Sequence, residues 1–201
     1  MQIRLGRVAS ELLVVVLGAS CAVAQNNFKR VVAWDGVQAA IGSGWVNPTT
    51  STLKPQSVER HGGKPALEFR FKGDYTWVGA GWNWFNFKTG TEIGTDASAM
   101  KNLSFWIKAT GKMGDLQINM LSNGVVLDTM EEHSQRVHVV KYCPLWLDGN
   151  WHEVVIPMSD LEKSGFNTKI ISEIHLNLES PAAVGMDGSL FISEIAFDDR
   201  D

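Results

Sequence analysis

Apolar and polar residues alternate through much of this chain. Leu67, Phe69 and Phe71 interleave with Glu68, Arg70 and Lys72. Leu103, Phe105 and Ile107 interleave with Ser104, Trp106 and Lys108, and Leu116, Ile118 and Met120 with Gln117 and Asn119. Ile174, Leu176 and Leu178 do the same among Glu173, His175, Asn177 and Glu179. A period of two sends successive side chains to opposite faces, so each stretch predicts a strand with one buried face. Shorter strands are predicted at Val31–Trp34, Val137–Tyr142, Trp151–Pro157 and Leu190–Phe197. Asp35-Gly36, Gly62-Gly63, Gly73-Asp74, Asn123-Gly124 and Asp187-Gly188 mark turns between them. Met158–Ser164 predicts one helical turn, capped by Ser159 or Asp160. Ile41–Pro55 is rich in Gly, Ser, Thr and Pro and predicts a loop that contains Trp45. About nine short strands with almost no helix predict an all-β chain folded as an antiparallel β-sandwich. The inward members Phe69, Phe71, Phe105, Ile107, Ile118, Val154, Ile156, Ile174, Leu176 and Phe197 are the expected core.

One stretch breaks the pattern. Asp74–Phe87 holds three of the eight tryptophans, and Gly79 and Gly81 argue against a helix. Read as a strand, it places Trp77, Gly79, Gly81, Asn83, Phe85 and Phe87 on one face. Thr76, Val78, Ala80, Trp82, Trp84 and Asn86 fall on the other. Both faces are aromatic. The expectation is that Trp82 and Trp84 face a ligand, Phe85 and Phe87 face the core, and the glycines leave room for Trp77. A strand buried on both sides is the competing reading. A one-residue bulge would instead swap the faces and put Trp77 and Asn83 on the ligand side.

Composition narrows the class. The chain has 201 residues, which suits one domain. Arg4 and Arg7, the apolar run Leu12–Leu17 and the small-x-small site Ala22-Val23-Ala24 predict a signal peptide over 1–24 and a single mature domain over 25–201, secreted to the exterior or periplasm. Cys21 offers lipidation as an alternative. The apolar run is too short for a membrane span. Cleavage leaves Cys143 alone, so no intrachain disulfide forms. The net charge of −4 and the lack of a basic stripe exclude nucleic acid as partner. A monomer is expected.

The outward positions carry the candidate chemistry. Trp106, Gln117, Asn119, His138, His175 and Asn177, with Trp82 and Trp84, combine flat apolar rings with amide and imidazole groups. Sugars present C–H faces that pack on rings and hydroxyls that need polar partners, and Trp supplies a large face at low entropic cost. Catalytic patterns are missing. His152-Glu153 lacks the second histidine of a zinc-protease motif, and no G-x-S-x-G elbow occurs. Glu131-Glu132 and Asp198-Asp199 are sequence neighbours that point apart on a strand. Glu131, Glu132, His133 and His138 match no metal-ligand spacing. The reading is polysaccharide or oligosaccharide binding without catalysis. The alternatives are a glycoside hydrolase or lyase, which needs two carboxylates converging at about 5–9 Å, and a secreted adhesion or scaffold domain with an exposed apolar patch.

The segments NLSFWIK (102–108), DGNWHEVVIPMSDL (148–161), ISEIHLNLES (171–180) and SLFISEIAF (189–197) resemble the family 11 carbohydrate-binding modules and their relatives in the galactose-binding-like sandwich group. Trp34-Asp35-Gly36 and Gly73–Trp82 match more loosely. The resemblance implies a jelly-roll sandwich whose concave sheet binds β-glucan-type chains. It places His175 and Trp77 in that cleft. It also implies a structural calcium site, for which Asp35 and Glu194 are the residues at hand. The chain departs from the family at Ser172 and Leu178, on a strand where the family carries tyrosines and aspartates.

Overall fold

The computed structural model describes residues 28–37, 42–47, 50–55, 57–73, 76–87, 93–122, 132–163, 166–179 and 185–201. The signal-peptide stretch, Cys21 and Asp74 lie outside them. Among the described residues fourteen strands run in chain order: β1 (Arg30–Trp34), β2 (Ser43–Asn47), β3 (Thr52–Lys54), β4 (Arg60–His61), β5 (Lys64–Pro65), β6 (Leu67–Gly73), β7 (Trp77–Asn83), β8 (Asn102–Lys112), β9 (Asp115–Ser122), β10 (Glu132–His133), β11 (Val137–His138), β12 (His152–Pro157), β13 (Ile171–Glu179) and β14 (Met186–Asp198). One helical turn, α1 (Met158–Leu161), follows β12, with Pro157 at its N-cap position.

Twelve of these strands form two antiparallel sheets, and β4 and β5 pair with each other as a separate hairpin. The first has the order β12-β8-β14-β6-β3, with β1 also paired to β14. The second has the order β10-β9-β13-β7-β2, with β11 also paired to β9. Sequence neighbours repeatedly fall in different sheets, as a sandwich requires. The core lies between the sheets and follows the alternation. All ten expected core residues are at or below 1% exposed.

The aromatic stretch departs from expectation. Trp82 and Trp84 are 1% and 5% exposed, so they belong to the core and present nothing to a ligand. Trp82 meets Trp34 edge to face, centroids 6.2 Å apart, and Trp84 donates its indole N–H to the Thr95 hydroxyl at 3.1 Å. The strand stops at Asn83 because its carboxamide oxygen accepts from the N–H groups of Phe85 and Phe87, at 2.9 and 3.1 Å. That is a side-chain-closed turn, and Asn86 and Phe87 adopt φ of 56° and 52° within it. Phe85 packs partly on the core, while Phe87 is exposed rather than inward. Predicted strand 137–142 shortens to β11 and a 3-10 turn. The predicted loop 41–55 contains β2 and β3.

The hairpin of β4 and β5 lies against the outer side of the first sheet. His61 stacks on Trp106 with centroids 4.0 Å apart, and Lys108 donates to Glu59 at 2.9 Å. Trp106 is therefore on the opposite sheet from Asn119, His175 and Asn177 and shares no site with them.

A buried carboxylate ties the last strand down. The Asp198 side chain is fully buried and accepts from Asn102 at 3.1 Å, Ser104 at 2.9 Å and Arg200 at 3.0 Å. Burial pushes its carboxyl upward, but those hydrogen bonds, Arg200 first, outweigh burial and hold it below the usual range. A group whose folded-state pKa is depressed stabilises the fold above its unfolded value, and that contribution is lost as pH falls through the folded one. Thermal melts are expected to move down as pH falls below about 4, the ordinary aspartate value, and Asp198→Asn should flatten that acid limb. An acid limb unchanged in the variant would assign the sensitivity elsewhere.

Candidate functional site

The outer face of the second sheet is organised in rows that cross the strands. One row reads Trp45, Gly81, His175, Asn119. Beside it run Asn47, Gly79, Asn177, Gln117, His138 and Ser43, Asn83, Glu173, Leu121, His133. A fourth row holds Trp77, Glu179 and Asp115.

The glycines form a floor. A Cβ at Gly79 would stand 2.5 Å from the Trp77 ring and 3.3 Å from the Trp45 ring. A Cβ at Gly81 would stand 2.2 Å from the Trp45 indole nitrogen and 2.3 Å from a Glu173 oxygen. Both indoles thus lie down on β7, at a distance only glycine allows. The same device appears inverted on the core side. Gly44 of β2 pairs with Trp82 of β7, and Cβ atoms at Gly42 and Gly44 would stand 2.3 and 3.0 Å from the Trp82 ring. Each strand supplies a tryptophan for the space the other's glycines leave.

Glu173 holds the indole in place. Its side chain is 2% exposed. One oxygen accepts from Trp45 Nε1 at 2.7 Å and pairs with His175 Nε2 at 2.8 Å, and the other accepts from Asn83 at 3.3 Å. The Trp45 and His175 rings stand edge to face, centroids 5.2 Å apart. A polar chain continues across the sheet. Asn177 donates to Asn119 at 3.1 Å, and Asn119 meets His133 Nδ1 at 3.1 Å. His138 pairs with Asp115 at 2.6 Å. The face therefore offers a flat indole surface at one side and amide and imidazole groups at the other.

Of the sequence-predicted positions, Trp77, Asn119, His175 and Asn177 come together here. Trp82, Trp84 and Trp106 do not. Trp45, Glu173 and His133 join the face without having been singled out as ligand contacts, and Asn83, expected there only after a bulge, joins it with no register shift in β7.

Asp35 and Glu194 also come together, but around a cation of the protein's own. Lys64 Nζ lies 3.4 Å from Asp35 and 3.1 Å from Glu194, and Arg30 also donates to Glu194. The Glu194 hydrogen bond raises the Lys64 amine above its ordinary value. Calcium needs six to eight oxygens. Here the ammonium stands where the two carboxylates meet, so these residues do not fit the metal. Among the described residues no group of three or more His, Cys, Asp or Glu is placed to hold one.

Residues 25–199 match the family described as carbohydrate binding domain 30. The chain belongs to that family. The sequence resemblance pointed to family 11, and both families appear among solved structures with this fold. The family 30 module of a cellulosomal cellulase from Clostridium thermocellum is 16% identical, with a TM-score of 0.61 over 86% of this chain and 99% of that one. A family 11 module from the same organism, in complex with a β-1,3-1,4-mixed-linked tetrasaccharide, is 12% identical with a TM-score of 0.57, over 84% and 94%. A β-1,2-glucanase from Parabacteroides distasonis is 13% identical with a TM-score of 0.56, over 83% of this chain and 24% of that one. At these identities the likeness establishes the fold. No curated protein is similar enough in sequence to count as a relative. This family 30 domain is a carbohydrate-binding module, and among the described residues no helix is long and apolar enough to cross a membrane.

Proposed function

We propose that the outer face of the second sheet binds β-glucan-type polysaccharide, without catalysis, in a secreted monomeric protein. The observation that carries this reading is the pair of indoles, Trp45 and Trp77, laid over Gly79 and Gly81. A sugar ring stacks its C–H face on such a surface, and the row His175–Asn119 and its neighbour Asn177 supply partners for hydroxyls. The tetrasaccharide bound to the family 11 neighbour supports a β-glucan as ligand. Each carboxylate of this face has a side-chain partner: Glu173 is buried against Trp45 and His175, while Asp115 and Glu179 sit in solvated pairs with His138 and Arg136. That supports binding without an acid–base pair. Calorimetric titration of the purified protein with cello-oligosaccharides and mixed-linkage glucan oligosaccharides tests the reading, and heat from neither would sink it. The pattern Ala22-Val23-Ala24 supports export, and an intact mass starting at Gln25 is expected for secreted protein. A lipidated species starting at Cys21 would overturn that cleavage.

Glu173 has no lysine or arginine partner among the described residues, and a buried carboxylate without one burdens the fold. Glu173→Gln is expected to weaken glycan binding about tenfold, since one charge-assisted acceptor holding two rings is lost. The melting temperature should hold or rise. Loss of both together in titrations and melts would mean that Glu173 serves only the fold.

A further inference from the structure

Beyond His175, away from the indoles, the face opens into a pocket of about 320 Å³. It is lined by Asn119, His133, Gln135, Arg136, Lys163 and His175, with the buried Ser134 between. We propose that this pocket takes the carboxylate of an acidic sugar, so that the ligands of this face include β-glucan-type chains carrying uronic or aldonic acid units. The inference rests on reading this face as the sugar site.

Three observations support it. First, the pocket runs against the charge of the whole. The chain carries −4, yet the described residues lining the pocket include an arginine, a lysine and two histidines and no carboxylate. Second, its cations are available. Lys163 is exposed and has no carboxylate partner among the described residues. Arg136 meets Glu179 at 3.5 Å, with the two side chains 47% and 45% exposed, and a solvated pair of that kind is weak. A guanidinium presents a planar fork that matches a carboxylate with two parallel hydrogen bonds. The nearby Glu173 is turned to Trp45 and His175, so of the pocket rim it pairs with His175 and leaves Arg136 and Lys163 to a ligand. Third, the pocket lies in register with the indoles. Asn119 stands two strands from Gly81 in one row, roughly 10 Å at the usual strand spacing. A chain stacked on Trp45 and crossing the strands reaches the pocket a few sugar units along.

The test uses calorimetry on the purified protein with three oligosaccharides of equal length: a neutral cello-oligosaccharide, its aldonic acid oxidised at C1, and a β-1,4-linked chain with glucuronate units. A carboxylated ligand is expected to bind about tenfold tighter than the neutral one at low ionic strength, and to lose that gain in about 0.5 M salt. Arg136→Gln with Lys163→Gln should erase the gain and keep the neutral affinity, with an unchanged melt showing that the variant is folded. A gain with glucuronate assigns the pocket to units within a chain. A gain with the aldonate alone assigns it to oxidised chain ends. Equal affinity for all three overturns the proposal and leaves glycan binding on this face intact. Binding of none overturns the reading of the face itself.

Discussion

Trp82→Ala is expected to destabilise the protein by about 3–5 kcal/mol, the usual range for a buried tryptophan or phenylalanine cut to alanine. For a domain of this size that lowers the melting temperature by roughly 10 °C. The side chain is 1% exposed and packs edge to face on Trp34. The space it fills is left by Gly42 and Gly44, which carry no side chain able to move into the gap. The Trp82 indole N–H has no hydrogen-bond partner among the described residues, so the loss is one of packing and cavity rather than of a polar contact. Thermal and urea melts measure it. Measured well below the new midpoint, glycan affinity should fall less than it does for Trp45→Ala. An unchanged melt with abolished binding would return Trp82 to the ligand side.

Trp45→Ala should show the reverse. Binding is expected to weaken by about 1–3 kcal/mol, as for aromatic stacking platforms generally, while the melt shifts little. Trp45 is partly exposed, and its removal takes one donor from Glu173 but leaves Asn83 and His175 beside it. Calorimetric titration beside melts separates the two effects. Trp106→Ala is the control, because its ring lies on the other sheet under His61. If Trp106→Ala loses affinity and Trp45→Ala does not, the site is on the first sheet.

The fold was legible because its signal is local. Alternation in 67–72, 103–108, 116–120 and 174–179 placed seven of the ten expected core residues; Asp35-Gly36 and Gly62-Gly63 fall between strands as expected, whereas Asp187-Gly188 lies inside β14. The faces of β9 and β13 were readable for the same reason. Asn119, His175 and Asn177 fall on the outer face by parity alone. The parity of β7 was readable too, but both of its faces carry tryptophan, and periodicity cannot say which meets solvent. The glycines decided that question in the opposite sense to the one expected. They mark the outer face, since a neighbouring strand lays its own indole there. Trp45 was hidden by the complementary effect. Gly42 and Gly44 exist to admit Trp82, and they gave β2 the composition of a loop. Trp106 was correctly outward, but which of two sheets an outward residue adorns depends on long-range pairing. The ion cluster of Lys64, Asp35 and Glu194 joins segments about 160 residues apart in sequence at its extremes, and nothing local announces it.

The interlock of β2 and β7 also bears on how this face changes over generations or in the laboratory. A substitution at Gly42, Gly44, Gly79 or Gly81 drives a new side chain into an indole, so that half of the surface admits almost no variation. The β13, β9 and β10 half has no such constraint. A library that redirects the protein toward a different glycan belongs at Asn119, His133, Arg136 and Asn177, with the tryptophan–glycine half kept as an invariant grip.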